Sequence, residues 1–195
     1  IAAMTTDQAA ALSTTQVAAL TTAQVVALQT EDLNAFGTAQ FAALSTAQAA
    51  ALSTTQVANL ETADLVALTT ASIRALSTSA IAALNTDEVV ALSAAQAGAL
   101  TTAQIGALSA AAVAALETTD VVALGTTGIR AFSTAQIVAL TTDQAAALST
   151  AQVAALTTAQ VVALQTEDLN AFSTAQFAAL TTAQVGALSA LQVAN

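Results

Sequence analysis

The chain has 195 residues, 56% of them hydrophobic but only 3% aromatic, and it contains no Lys, His, Cys, Pro, Trp or Tyr. Twelve carboxylates against two arginines give a net charge of −10, which repels phosphate backbones and anionic lipid surfaces and argues against nucleic acid as a partner. Without Cys there are no disulfides or thiolate metal sites, and Thr, Ser, Gln or an acid breaks each apolar run well short of the roughly 18–20 residues of a membrane span.

From Met4 onward the chain restarts every eight residues. With the places lettered a to h, all 24 a places hold Leu, Met or Phe, with no insertion or deletion. Place h is Ala except at Asn59 and Asn195, and place c is Thr except at Ala94, Ala110 and Ala190. The consensus is Leu-(Ser/Thr)-Thr-Ala-Gln-Val-Ala-Ala. One long helix has no use for this period, because eight residues at 3.6 per turn rotate the Leu by about 80° each time. The Ala, Gln and Leu content favours helix over a β-solenoid, whose turns call for more Gly and some Pro.

The first complete octads carry a repeated helix start. Ser13 with Gln16 reads as a capping box, and Leu12 with Val17 as the matching hydrophobic staple. Each octad therefore ends one helix of about six residues and begins the next. Helices this short do not stand alone, since nucleation is costly, so they must stack as in a solenoid. On a helical wheel f and a lie about 60° apart and form the core stripe, with d and g opposite. The acids at d and e, such as Asp7, Glu31, Asp32 and Asp87, and the variable residues at g, are expected to face solvent, with Thr at c and Ala at h on the flanks.

Further along, QTEDLNAF occupies 29–36 and recurs at 165–172. Gly37 stands where a cap belongs. Glu61 with Asp64 and Glu117 with Asp120 are carboxylate pairs three residues apart, suited to capping and to the amide ends of helices. An offset of 56 residues relates these two pairs and also carries Arg74 onto Arg130. Gly125 and Gly128 read as relaxed caps, with a hinge as the alternative. The Phe residues at a (Phe36, Phe132, Phe172) and f (Phe41, Phe177) read as core variants. Residues 137–195 repeat 1–59 at 50 of 59 places. Acid-bearing octads begin at 5, 29, 61, 85, 117, 141 and 165. If acids track one side of a coil, that alternation of three and four octads gives a superhelical turn of about 3.5 octads, near 28 residues. Duplication of a seven-octad unit explains the same spacing without geometry.

No catalytic, cofactor-binding or metal-binding residues are assigned. Nucleophile-and-base arrangements lack their usual members, and no Gly-bearing calcium loop is present. The tracts LTTAQVVAL and LSTAQVAAL resemble the Leu-Thr-Thr-Ala-Gln-(Ile/Val)-x-Ala repeats of very large bacterial secreted or surface proteins, labelled adhesin-like or haem-utilisation proteins. The resemblance implies an extracellular or cell-surface fibre or stalk, and it transfers no binding residue. A haem role finds no axial ligand here beyond Met4.

The expectation is an all-α solenoid of short helices, one per octad and three to four per turn. Residues 1–195 form a single continuous array of 24 octads, a section of a longer repeat protein. Its role is structural and not enzymatic: a stalk, filament or sheath whose partner is itself, as a homopolymer or as continuing repeats of the same chain. The alternative is a surface-binding module that presents a regular Ala/Thr face to ice or carbohydrate.

Overall fold

The computed structural model describes residues 4–194, which fold into 24 short α-helices with no strand among the described residues. The helices begin at place c and end at g or h, except that α7 (Thr54–Val57) stops at place f and α16 (Gly125–Ala131) starts at place b. Thus α1 spans Thr6–Ala10, α2 Thr14–Ala18 and α3 Thr22–Val26, and the pattern continues to α24, Ala190–Ala194. Lengths run from four residues in α7 (Thr54–Val57) to seven in α16 (Gly125–Ala131).

The breaks have a local cause. Place b is extended, as at Ser13 (φ −71°, ψ 159°), and its hydroxyl accepts from the N–H of place e, while the place-e Gln accepts the N–H of b. This reciprocal cap recurs down the chain, at Ser45, Thr101, Ser133 and Thr181 among others. Place a is extended too where the helix runs to h, as at Leu52 (φ −58°, ψ 129°) and Leu148 (φ −55°, ψ 135°). Two extended residues turn the chain out of one helix and into the next.

The helices gather into two compact units, Ile1–Ala99 and Leu100–Asn195. In the first, each helix packs on the one three places later: α3 on α6 (Thr46–Ala51), α6 on α9 (Thr70–Ala75), and α8 (Thr62–Ala67) on α11 (Thr86–Ala91). The second repeats the rule, with α17 (Thr134–Val138) on α20 (Thr158–Ala163) and α20 on α23 (Thr182–Ala187). Hydrogen bonds between turns link residues 28 and 31 apart, as from Gln48 to Leu20 and Val17. The turn in each unit therefore holds about 3.5 octads, as the spacing of acid-bearing octads implies.

The core is the f and a stripe. Val17, Val25, Leu33, Phe41, Val57 and Ile73 at f have no exposed surface, and Leu52, Leu68, Leu108 and Leu148 at a are buried. Valines at g, such as Val26 and Val90, face outward. With Ala, Leu and Val as the usual fillers, the layer between turns is thin and backbones lie close together.

Two of the glycines correct the relaxed-cap reading. Gly125 has φ +65°, where L side chains are strained, and Leu124 before it is helical (φ −58°, ψ −24°). The usual pair of extended residues is replaced there by one left-handed residue. Gly128 lies at place e, and a Cβ on it would stand 2.7 Å from Leu124 Cβ and 3.1 Å from Ile105 Cδ1. Close approach explains Gly128. Gly37 does fit a relaxed cap: its N–H still donates to Gln40 Oε1 at 2.6 Å, without a hydroxyl to answer.

Candidate functional site

The most regular chemistry lies between turns, at place e. Fifteen of the 24 e places hold Gln. The acids at e suggested an outward place, and the structure overturns that: Gln48, Gln104, Gln144, Asp64, Glu88, Asp120 and Asp168 are all buried. The wheel itself sets e only about 40° from a, on the core side. Place d, with Asp7, Glu31, Asp87 and Asp143, is exposed as expected.

One glutamine does two jobs. In α18 (Thr142–Ala147), Gln144 Oε1 accepts from Thr141 N–H at 2.9 Å, closing the cap. Its Nε2 then donates across to the preceding turn, to Val113 O at 2.9 Å and Leu116 O at 2.6 Å. Those carbonyls belong to the end of α14 (Ala110–Ala115) and the extended residue after it, where a helix leaves its last acceptors without intrahelical partners. The side chain thus satisfies a helix start and a helix end at once.

In the first unit the same bonds run from Gln40 to Leu12 O, from Gln56 to Val25 O and Leu28 O, and from Gln96 to Leu65 O and Leu68 O. In the second they run from Gln136 to Ile105 O and Leu108 O, and likewise from Gln160, Gln176, Gln184 and Gln192. Gln152 departs in an instructive way. It bonds Val121 O at 2.8 Å and Val122 O at 3.4 Å, because the carbonyl of the helical Leu124 is taken by Gly128 N–H.

Where Gln is missing, the rung changes character. Ser72 Oγ, which also shares a hydrogen bond with Thr69 Oγ1 at 2.9 Å, reaches a single carbonyl across the turns, Leu44 O at 3.3 Å. In the octad of Asp168 the glutamine moves to place b, and Gln165 Nε2 donates to Val138 O at 2.9 Å. Burial, reinforced by the charge of Glu61, pushes the Asp64 carboxyl up to about 6. Burial also lifts Asp120 to about 6, against an opposing hydrogen bond from the Glu117 N–H and with the Glu117 charge adding to it. Asp168 is raised chiefly by burial, with Thr142 Oγ1 donating to its Oδ1 at 3.2 Å in opposition. Glu61 and Glu117 do stand at the N-cap positions of their helices, but neither side chain makes a cap hydrogen bond, and the second member of each pair is buried rather than solvated.

Elsewhere, the second unit carries an open groove of about 700 Å³, lined by Thr102, Thr126, Thr127, Arg130 and several alanines. Among the described residues, no group of three or more His, Cys, Asp or Glu could hold a metal ion, and no helix is long and apolar enough to cross a membrane.

The profile of a family described as the ALTTAQ repeat matches four segments, residues 25–61, 57–94, 113–150 and 161–195. No curated protein matches the chain.

Proposed function

The chain belongs to the ALTTAQ repeat family, and from that membership we propose that its function is structural: a section of an extracellular stalk, filament or sheath that lengthens by adding turns. The observation that carries this reading is the direction of the glutamine rungs. Beyond the first turn the rung Nε2 atoms reach back 28 to 31 residues, and before the last turn the f side chains are buried, so the top of one turn is the template for the next.

The two faces of a turn are complementary. In the first turn Gln8, Gln16 and Gln24 are exposed. In the last turn Phe177, Val185 and Val193 expose the f side chains that are buried elsewhere. A further turn, from continuing octads or from another copy, would meet backbone carbonyls with amides and Val with Val. Such a stack is quasi-one-dimensional, and its length is set by how many repeats are joined. The extracellular placement rests on the resemblance to secreted and surface tracts.

Electron microscopy of the purified protein tests the proposal, together with sedimentation over a range of concentrations. Rods of uniform width, growing longer with concentration, are the expected result. Compact particles of one size at every concentration, combined with ice-recrystallisation inhibition or glycan binding, would transfer the function to a surface-binding module.

A further inference from the structure

Glu88 sits in a slot built for glutamine. Asn85 caps α11, accepting from Glu88 N–H at 3.0 Å, and Asn85 N–H donates to Glu88 Oε2 at 2.7 Å. Oε2 thus takes the role that Gln Oε1 takes in other octads. The other oxygen, Oε1, is buried without a hydrogen-bond partner, and the residue is 1% exposed. At that position every glutamine of the ladder carries its Nε2. Counting back 31 and 28 residues places the carbonyls of Val57 and Leu60 opposite Oε1, as Val17 and Leu20 stand opposite Gln48.

An ionised carboxylate is acceptor-only, and turning a bare oxygen toward two carbonyl oxygens in a buried site is unfavourable on both electrostatic and desolvation grounds. Among the described residues, the helices next to α11 in the chain and the one packed on it supply no compensating cation. Its own helix carries Asp87, α8 packed against it carries Asp64, and Glu61 follows the Leu60 carbonyl. Its chain neighbours, α10 (Thr78–Ala82) and α12 (Ala94–Ala99), bear no charge. Arg74 lies on α9, which packs on α6 and α12.

We propose that Glu88 is held as the neutral acid and works as a protonated glutamine, its O–H donating to the Leu60–Val57 carbonyls, so that this rung of the ladder is locked by a proton and opens when the proton leaves. The slot determines which oxygen carries it: Oε2 must accept from Asn85, so Oε1 is the donor. Burial also pushes the carboxyl above its ordinary value, against the Asn85 hydrogen bond and with help from Asp87. The sign follows directly. Because the folded state binds this proton more tightly than the unfolded chain, the rung contributes fully below the ordinary glutamate range and is lost as pH rises through the raised folded value. Glu88 is thus a pH-responsive rung where the consensus places a pH-indifferent amide.

The test is a carboxyl-carbon NMR titration of protein labelled at its five glutamates, for wild type, Glu88→Gln and the exposed control Asp87→Asn, with melting curves at the same pH values. One resonance should bind its proton at least tenfold more tightly than the other four and be missing from Glu88→Gln. That variant should melt higher than wild type at neutral pH and match it near pH 4, while Asp87→Asn retains the tight-binding resonance. Because Gln is the consensus residue, the variant keeps the fold. Five glutamates titrating together in the ordinary range, or equal melting of Glu88→Gln and wild type at neutral pH, would overturn the assignment.

Discussion

Gln144 and Gln16 are the same residue at the same place with different duties. Gln16 is exposed and closes a cap, whereas Gln144 is buried and also holds the two carbonyls below it. Replacing Gln16 by Ala should cost about 0.5–1 kcal/mol, the range of a lost cap. Gln144→Ala also leaves buried carbonyls unpaired and should cost about 2–4 kcal/mol. Urea unfolding of the two variants measures the difference, and equal losses would mean the inter-turn bonds add nothing. At Gly125, whose φ is +65°, an alanine should destabilise by about 1–2 kcal/mol although nothing lies within 4 Å of its Cβ. Asp64 and Asp120 add a pH signature. Folded values of about 6 lie above the ordinary carboxylate range, so they favour folding below about pH 4 and lose that contribution as pH rises through 6. Stability should fall between pH 4 and 7, and the double change Asp64→Asn with Asp120→Asn should flatten the slope.

A single helix of four to seven residues has too few internal hydrogen bonds to persist alone, so its ends and its buried face determine whether it forms. Ser133→Ala removes the hydroxyl that accepts from Gln136 N–H at 3.2 Å and should cost about 1 kcal/mol. Ile137→Ala empties a fully buried site between turns and should cost about 2–5 kcal/mol. The ranking of these two by thermal melts tests whether inter-turn packing outweighs local capping. Local features of this kind could be read in the sequence. The cap is an i to i+3 relation, the f and a stripe follows from the wheel, and the 28-residue turn was visible in the spacing of acid-bearing octads. The rungs could not be read the same way, because their partners lie 28 and 31 residues away and are backbone atoms, which have no signature in the sequence. Asp32, Asp64, Glu88, Asp120 and Asp168 also disguised place e as a solvent-facing one. The usable signal was the recurrence of Gln itself: a cap alone tolerates Ser, Asp or Glu at that place, so 15 glutamines in 24 octads pointed to a second duty for the amide.

Within each unit the same turn repeats, so disturbance should stay local. One alanine inserted between Leu156 and Thr157 changes the spacing for the glutamine bonds that reach across it, those of Gln160, Gln165, Gln176 and Gln184. Gln152 and Gln192 reach across other stretches and keep their spacing. Amide hydrogen exchange should lose protection around the four broken rungs and retain it at the rest, as nearest-neighbour coupling requires. Loss of protection along the whole chain would show that the octads fold as one indivisible body.

The place-e glutamine bonds between turns point toward the N-terminus, to carbonyls made 28 to 31 residues before them, whereas the Asn34 amide reaches forward to the Asn59 carbonyl. A polypeptide threading out of a ribosome or a secretion pore amino end first therefore has, at each moment, the acceptors its newest glutamine needs already outside. Polar pairing along the glutamine ladder proceeds like bricklaying, one course upon the last, and no rung glutamine waits for residues still to emerge.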